Sequence, residues 1–106
     1  MTTSYGFHPE ALLEYVEATN YYLQEASGQV ADRFVVAVES AISALIVAPT
    51  RWRVVEDPEI RRYIFKRFPL VIYYRWEPQR ERVTIYALMH CSRESGYWHQ
   101  RLEGNA

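Results

Sequence analysis

Cysteine is almost absent from this sequence, and its scarcity restricts both the covalent structure and the expected compartment. Cys91 is the single cysteine, so an internal disulfide is excluded and a reducing compartment such as the cytoplasm is expected. The sequence has no apolar run near the roughly 18 residues that span a bilayer, and no signal peptide opens it. We therefore expect a cytoplasmic protein that does not associate with membranes.

Glycine and histidine are also scarce, which argues against two kinds of site. The 4 glycines are scattered singly, so no Gly-rich loop is available to bind a phosphate. The 3 histidines lack the i, i+4 spacing or the paired cysteines of a zinc site. On a strand, His90 and Cys91 would face opposite sides, so they do not form a nucleophile–base pair. We expect no metal and no cofactor.

The sequence is rich enough in apolar and aromatic residues to form one core. Its 106 residues are 49% hydrophobic and 15% aromatic, which excludes intrinsic disorder. This length suits one domain over residues 1–106.

The charged residues are divided unevenly along the chain, although the formal net charge is only -1. Residues 1–59 carry nine acids and three bases, a net of −6, whereas residues 60–106 carry nine bases and four acids, a net of +5. All bases except Lys66 are arginine, whose planar fork binds phosphate or carboxylate through two hydrogen bonds. This division indicates either a basic surface for a partner or charge that serves solubility.

Two stretches with helical periodicity occupy the first half of the sequence. Pro9 suits the first turn of a helix, and apolar residues then recur at spacings of three and four. Ser27-Gly28 interrupts the pattern, and we predict Gly28 as a left-handed C-cap. A second apolar stripe runs over Val30–Leu45 and ends at Ala48-Pro49. The two stripes predict an antiparallel helical hairpin.

After a predicted connecting loop at residues 49–60, the apolar period changes to two. Strands are predicted over residues 61–67, 70–76 and 82–89. In the last of these, alternation places four residues on one face: Val83, Ile85, Ala87 and Met89. With a short first strand at Tyr5–His8, the order is β-α-α-β-β-β. It predicts an α+β domain in which helices cover one face of a three-stranded antiparallel meander.

The segment after the last predicted strand concentrates polar and aromatic groups. It contains His90, Arg93, Tyr97 and Trp98. Such groups can orient a phosphate and stack on a base, with His90 or Tyr97 transferring a proton. The alternative is that Tyr97 and Trp98 fold back on the sheet as a hydrophobic lid.

Several short motifs follow one another along nearly the whole chain. They are Pro9-Glu10-Ala11, Tyr21-Tyr22, Ala31-Asp32-Arg33-Phe34, Ala48-Pro49, the hairpin Arg67-Phe68-Pro69…Tyr73-Tyr74-Arg75, and His90…Arg93…Tyr97-Trp98. In this combination the sequence resembles the RelE/ParE toxin superfamily of bacterial type II toxin–antitoxin systems. The resemblance implies the β-α-α-β-β-β fold and a small toxin held inactive by a cognate antitoxin, in a toxin–antitoxin hetero-oligomer of the kind that stabilises plasmids.

The resemblance leaves the cellular target open between two branches of the superfamily. RelE-like members cleave mRNA in the ribosome and would inhibit growth in that way, whereas ParE-like members inhibit DNA gyrase without a nuclease site. A third possibility is an inactive member that functions only in the antitoxin complex. For the ribonuclease branch, the resemblance implies catalytic roles for Arg93, Tyr97, His90 and Lys66, and substrate binding by Arg62, Arg67 and Trp98.

The antitoxin is the partner common to all three possibilities. Helix positions that the sheet does not cover, together with Tyr21 and Tyr22, would form an exposed apolar and aromatic groove for an antitoxin helix. Acidic antitoxin residues would then meet the arginine-rich half of the chain.

Overall fold

The computed structural model describes residues 3–92, 96 and 98–104. Besides one turn of 3₁₀ helix at Pro78–Arg80, these residues form three α-helices and five strands. In chain order they are β1 (Ser4–Phe7), α1 (Pro9–Glu25), α2 (Gly28–Val47), β2 (Val54–Glu56), β3 (Ile60–Ile64), β4 (Leu70–Glu77), β5 (Arg82–His90) and α3 (Gln100–Gly104). The predicted α+β fold is confirmed, with a short strand, a helical hairpin and then the remaining strands.

The strands form one mixed sheet in the order β1-β5-β4-β3-β2. β1 runs parallel to β5 and the other neighbours are antiparallel, so the predicted meander corresponds to β3, β4 and β5. β2 lies in the segment predicted as a loop, where Val54 pairs with Arg61 and Glu56 with Ile60. Three residues are too few for alternation to reveal a strand.

The sheet buries side chains on both faces, which we name the helix face and the outer face. On the helix face, the α2 residues Phe34, Val38 and Leu45 share one core cluster with the sheet residues Ile72, Tyr74 and Ile85. On the outer face a second cluster comprises Ile60, Val71, Tyr73, Tyr86, Ala87, Met89 and Trp98. The C-terminal segment supplies Trp98 to this cluster, so it covers part of the face opposite the long helices.

A β-bulge in β5 changes which side chains reach each face. Tyr73 pairs with Ala87 but the next residue, Tyr74, pairs with Ile85, so Tyr86 is an additional residue in β5. The prediction that alternate residues of this strand share one face is therefore wrong beyond the bulge. Val83 and Ile85 lie on the helix face, whereas Ala87 and Met89 lie on the outer face.

The outer ends of the helical hairpin agree with the sequence, and the break between its two helices differs. Pro9 is the first residue of α1, and α2 ends before Ala48 as predicted. The predicted C-cap role of Gly28 is wrong, because Gly28 is the first residue of α2. Ser27 caps that helix, and its Oγ accepts the N–H of Val30 at 3.1 Å.

No helix among the described residues is long and apolar enough to cross a bilayer.

Candidate functional site

The residues predicted for a nuclease site lie on different surfaces of the fold. Arg62 is exposed on the outer face of β3, two residues after Ile60 of the outer cluster. Lys66 and Arg67 were predicted on a strand, but β3 ends at Ile64 and both are exposed in the segment between β3 and β4. They line a groove against α2 on the helix side.

Two further predicted residues, Arg93 and Tyr97, lie outside the described residues. Their predicted catalytic roles therefore stay predictions.

His90 is exposed at the end of β5, on the helix face of the sheet. It pairs with Leu70 and lines a cleft against α1 together with Glu17. Its Nδ1 accepts the N–H of Ser92 at 3.1 Å, and Ser92 Oγ lies 2.7 Å from the same nitrogen. The sheet thus separates the imidazole of His90 from the guanidinium of Arg62.

Trp98 is folded back on the sheet, as in the lid arrangement considered from the sequence. Its side chain has 0% exposure, and its ring centroid lies 5.0 Å from that of Tyr73. Among the described residues, its indole N–H has no hydrogen-bond partner. In this position the indole packs on the outer face and does not offer a surface for stacking on a base.

Arg101 makes the most extensive polar contacts of the described part of the C-terminal segment. Its side chain is 6% exposed, and its Nη1 and Nη2 donate to the two carboxylate oxygens of Glu14, each at 3.0 Å. Nη1 also donates to the carbonyl of Tyr86 at 2.8 Å, while Glu14 accepts the N–H of Leu88 at 3.1 Å. β1 pairs with β5 only as far as Ile85. Beyond that residue, Glu14 and Arg101 bind the backbone groups at the edge of β5.

Sequence reasoning missed this pair because nothing local marks it. Arg101 and Glu14 are 87 positions apart, and each is an ordinary charged residue in its own segment.

A cleft rich in arginine lies on the outer face near the start of β5. Its volume is about 640 Å³, and Arg75, Arg80 and Arg82 line it together with Thr84 and Leu102. Sequence reasoning did not select these arginines as site residues. The available signal was the excess of arginine in the second half, which gives no position on the sheet.

A second groove, mainly apolar, lies between α2 and the segment that follows β3. Its volume is about 690 Å³, with Val36 and Phe65 among its apolar residues and Arg33, Lys66 and Arg67 among its charged ones. Val36 is 63% exposed, so this groove offers unburied apolar surface beside positive charge.

The two neighbouring tyrosines predicted to form a docking groove have different surroundings. Tyr22 is half-buried and packs against Phe34 and Phe68, with ring centroids 5.1 and 5.2 Å away. Tyr21 is 61% exposed and contacts Tyr22 edge to face. Tyr22 therefore belongs to the core, and Tyr21 alone of the pair presents a large exposed ring.

The marked pKa shifts belong to groups with structural contacts. Burial raises the pKa of Tyr74 to about 12, and its hydroxyl donates to the carbonyl of Pro49 at 2.7 Å. Burial, followed by the nearby charge of Arg101, lowers the pKa of His8, whose Nδ1 accepts the N–H of Glu10 at the start of α1. Among the described residues, no group of three or more His, Cys, Asp or Glu side chains is placed to hold a metal ion.

Comparison with solved structures identifies the fold. The "Chromosomal ParDE TA system from P. aeruginosa" superposes with a TM-score of 0.72 at 15% sequence identity, covering 84% of this chain and 96% of that one. A mutant of the E. coli toxin RelE in the free state gives a TM-score of 0.65 at 10% identity, covering 99% of this chain and 98% of that one. The isolated E. coli RelE toxin gives 0.60 at 9% identity, covering 98% and 99%. At these identities the likeness shows a shared fold.

Comparison with protein families identifies the family. No curated protein matches the sequence. The family model described as "ParE toxin of type II toxin-antitoxin system, parDE" matches residues 5–95, which is most of the chain. The chain therefore belongs to the ParE toxin family, within the RelE/ParE superfamily of type II toxin–antitoxin systems.

Proposed function

We propose that this toxin acts by inhibiting DNA gyrase and does not cleave mRNA in the ribosome. Two observations support the proposal. The family match is to the ParE branch, for which the resemblance in sequence implies gyrase as the target. The described residues predicted for a nuclease are also dispersed over the fold.

The dispersion of these residues is the observation that carries the choice between the two targets. Acid–base catalysis requires the participating groups to lie within hydrogen-bonding reach of one substrate. Here His90 lies on the helix face and Arg62 on the outer face, while Lys66 lines the groove beside α2. Trp98 is buried against Tyr73. These four side chains do not converge on one phosphate.

Two assays with the purified protein test the proposal. Added to gyrase and relaxed plasmid, the toxin should reduce supercoiling and accumulate cleaved DNA. Added to a translating extract, it should leave the mRNA intact in primer extension. Cuts at codon positions that disappear in Arg93→Ala would refute the proposal, as would full supercoiling activity at saturating toxin.

We also propose that a cognate antitoxin neutralises the protein by inserting an amphipathic, acidic helix into the groove between α2 and the segment after β3. The apolar side chain of Val36 is exposed there, and Arg33, Lys66 and Arg67 border the groove against one acid, Asp32. A helix in a groove uses apolar anchors for affinity, and complementary charge guides its encounter.

Co-purification from cells that express both proteins tests the antitoxin interface. Val36→Asp introduces a charge into the groove and should abolish capture of the protein encoded next to the toxin. Val47→Asp is the matched control, because Val47 is 84% exposed at the end of the same helix and does not line the groove. Equal capture by both variants would show that the antitoxin docks elsewhere.

A further inference from the structure

The cleft on the outer face near the start of β5 carries a net positive charge. Three arginines line it, at positions 75, 80 and 82, and Glu77 is the single acid in its lining. Burial lowers the pKa of the His8 imidazole in the same lining, which disfavours its charged form. The charged side chains of the cleft therefore sum to +2.

Strand register brings two of these arginines close together on one face. Arg75 of β4 lies opposite Thr84 of β5, and Glu77 lies opposite Arg82. Arg75 and Arg82 are therefore diagonal neighbours, at a typical separation of about 7–8 Å between their backbone positions. Because both project from paired central strands, their spacing is fixed by the sheet.

Neither of these two arginines is neutralised within the described part of the chain. Arg80 forms an exposed ion pair with Glu77 at 3.6 Å, whereas Arg75 and Arg82 form no ion pair or hydrogen bond with any described residue. Both are only partly exposed. A guanidinium stays charged at every physiological pH, so these two cations are available to an anionic ligand.

Gly6 of β1 provides the space that the Arg82 side chain occupies. A Cβ atom at this position would overlap Nη2 of Arg82, so the guanidinium crosses β1 where that strand has no side chain. The arginine fork is thus directed over the outer face beside the cleft and does not extend freely into solvent.

We propose that this cleft binds the phosphodiester backbone of a single nucleic-acid strand. Paired arginine forks recognise phosphate oxygens through charge-assisted hydrogen bonds, and a cationic groove that follows the backbone is the usual means of holding a single strand. An anionic peptide fits less well, because β5 pairs with both β1 and β4 at this point and leaves no strand edge for a peptide to extend. The inference concerns a surface separate from the antitoxin groove and holds whichever cellular target the toxin has.

Fluorescence anisotropy with labelled, mixed-sequence oligonucleotides tests the inference. The full-length protein should bind single-stranded DNA or RNA, and the logarithm of the association constant should fall linearly with the logarithm of the salt concentration. Each single-strand phosphate contact contributes about 0.7 to that slope. Arg75→Gln combined with Arg82→Gln should make this salt dependence shallower by about 1.4 and weaken binding at low salt at least about tenfold.

Two further variants separate a specific site from a change in total charge. The double variant Arg51→Gln/Arg53→Gln has the same net charge as the double cleft variant, alters exposed arginines that line neither the cleft nor the antitoxin groove, and should retain the wild-type slope. Gly6→Ala displaces the Arg82 side chain without changing any charge and should weaken binding by an intermediate amount. Each variant is first compared with the wild type by circular dichroism.

Loss of oligonucleotide binding in the cleft variants alone would support the inference. The oligonucleotide that binds, DNA or RNA, would then identify the ligand. Equal loss of binding in the Arg51/Arg53 control would overturn it, as would the absence of binding at about 50 mM salt. Tighter binding of a duplex, or of a polyglutamate peptide that competes with the oligonucleotide, would also overturn the assignment to a single strand.

Discussion

Removal of the Arg101 guanidinium should destabilise the fold far more than removal of an exposed arginine. Arg101→Met keeps the aliphatic part of the side chain but leaves Glu14, whose side chain is 16% exposed, without its paired cation. Breaking a buried ion pair by removing one partner typically costs about 3–5 kcal/mol. Because Glu14 retains the N–H of Leu88 and some contact with water, we expect the lower end, about 3 kcal/mol. For 106 residues, this corresponds to a decrease in Tm of about 13 °C.

Thermal and urea unfolding followed by circular dichroism measure this loss, and Arg80→Met provides the matched control. Arg80 is 66% exposed and lies 3.6 Å from Glu77, so its ion pair should contribute less than about 1 kcal/mol. A double-mutant cycle of Arg101→Met with Glu14→Gln should give a coupling energy within the range of about 0.5–3 kcal/mol seen for contacting residues.

A similar loss of stability in Arg101→Met and Arg80→Met would refute the reasoning. It would mean that the contacts of Arg101 with α1 and with the edge of β5 do not stabilise the fold. A coupling energy near zero would instead assign the loss to packing of the Arg101 side chain alone.

Three further predictions concern single side chains. Trp98→Ala should lower the free energy of unfolding by about 3–5 kcal/mol in urea titrations; Trp98→Phe, which removes an indole N–H without a described partner, should cost less than half as much. The pKa of Tyr74 is about 12 in the folded chain and about 10 when unfolded, so stability should fall as the pH rises from 10 to 12. Tyr74→Phe should flatten that decline, and an unchanged slope would contradict the assignment. His8 has a lowered pKa, so its contribution to stability is present above pH 6.5 and lost as the pH falls. His8→Asn, which keeps a cap acceptor, should reduce the difference in Tm between about pH 7 and pH 5.

Periodicity predicted those parts of the fold that local burial determines. The apolar stripes of α1 and α2 and the alternation in β4 each follow from contact with one core, and their boundaries agree with the structure to within a few residues. The reversal of alternation in β5 follows from the bulge at Tyr86. A bulge depends on pairing with a neighbouring strand, and the residues of a single strand carry no sign of it.

Prediction of the candidate sites, even more than prediction of the fold, required knowing which distant residues lie together. The sequence identified a basic second half but could not separate arginines with structural contacts from exposed arginines that are available to a ligand. Arg61 donates to the carbonyl of Trp52 at 2.6 Å and holds the loop before β2. Its neighbour Arg62 is exposed on the opposite face. One residue of register thus decides whether an arginine is structural or available for binding.

The division of charge along the sequence is partly offset by contacts between the two halves within the fold. Glu14 in the acidic half forms an ion pair with Arg101 in the basic half, and Glu56 also contacts His99. Both contacts attach the C-terminal segment to elements formed earlier in the chain. The same segment contributes Trp98 to the outer face and Leu102 to the wall of the arginine cleft. Acidic residues in the first half therefore fix the segment that shapes the cleft, while arginines in the second half supply its positive charge. On this reasoning Arg101→Met should also weaken oligonucleotide binding, although Arg101 does not line the cleft.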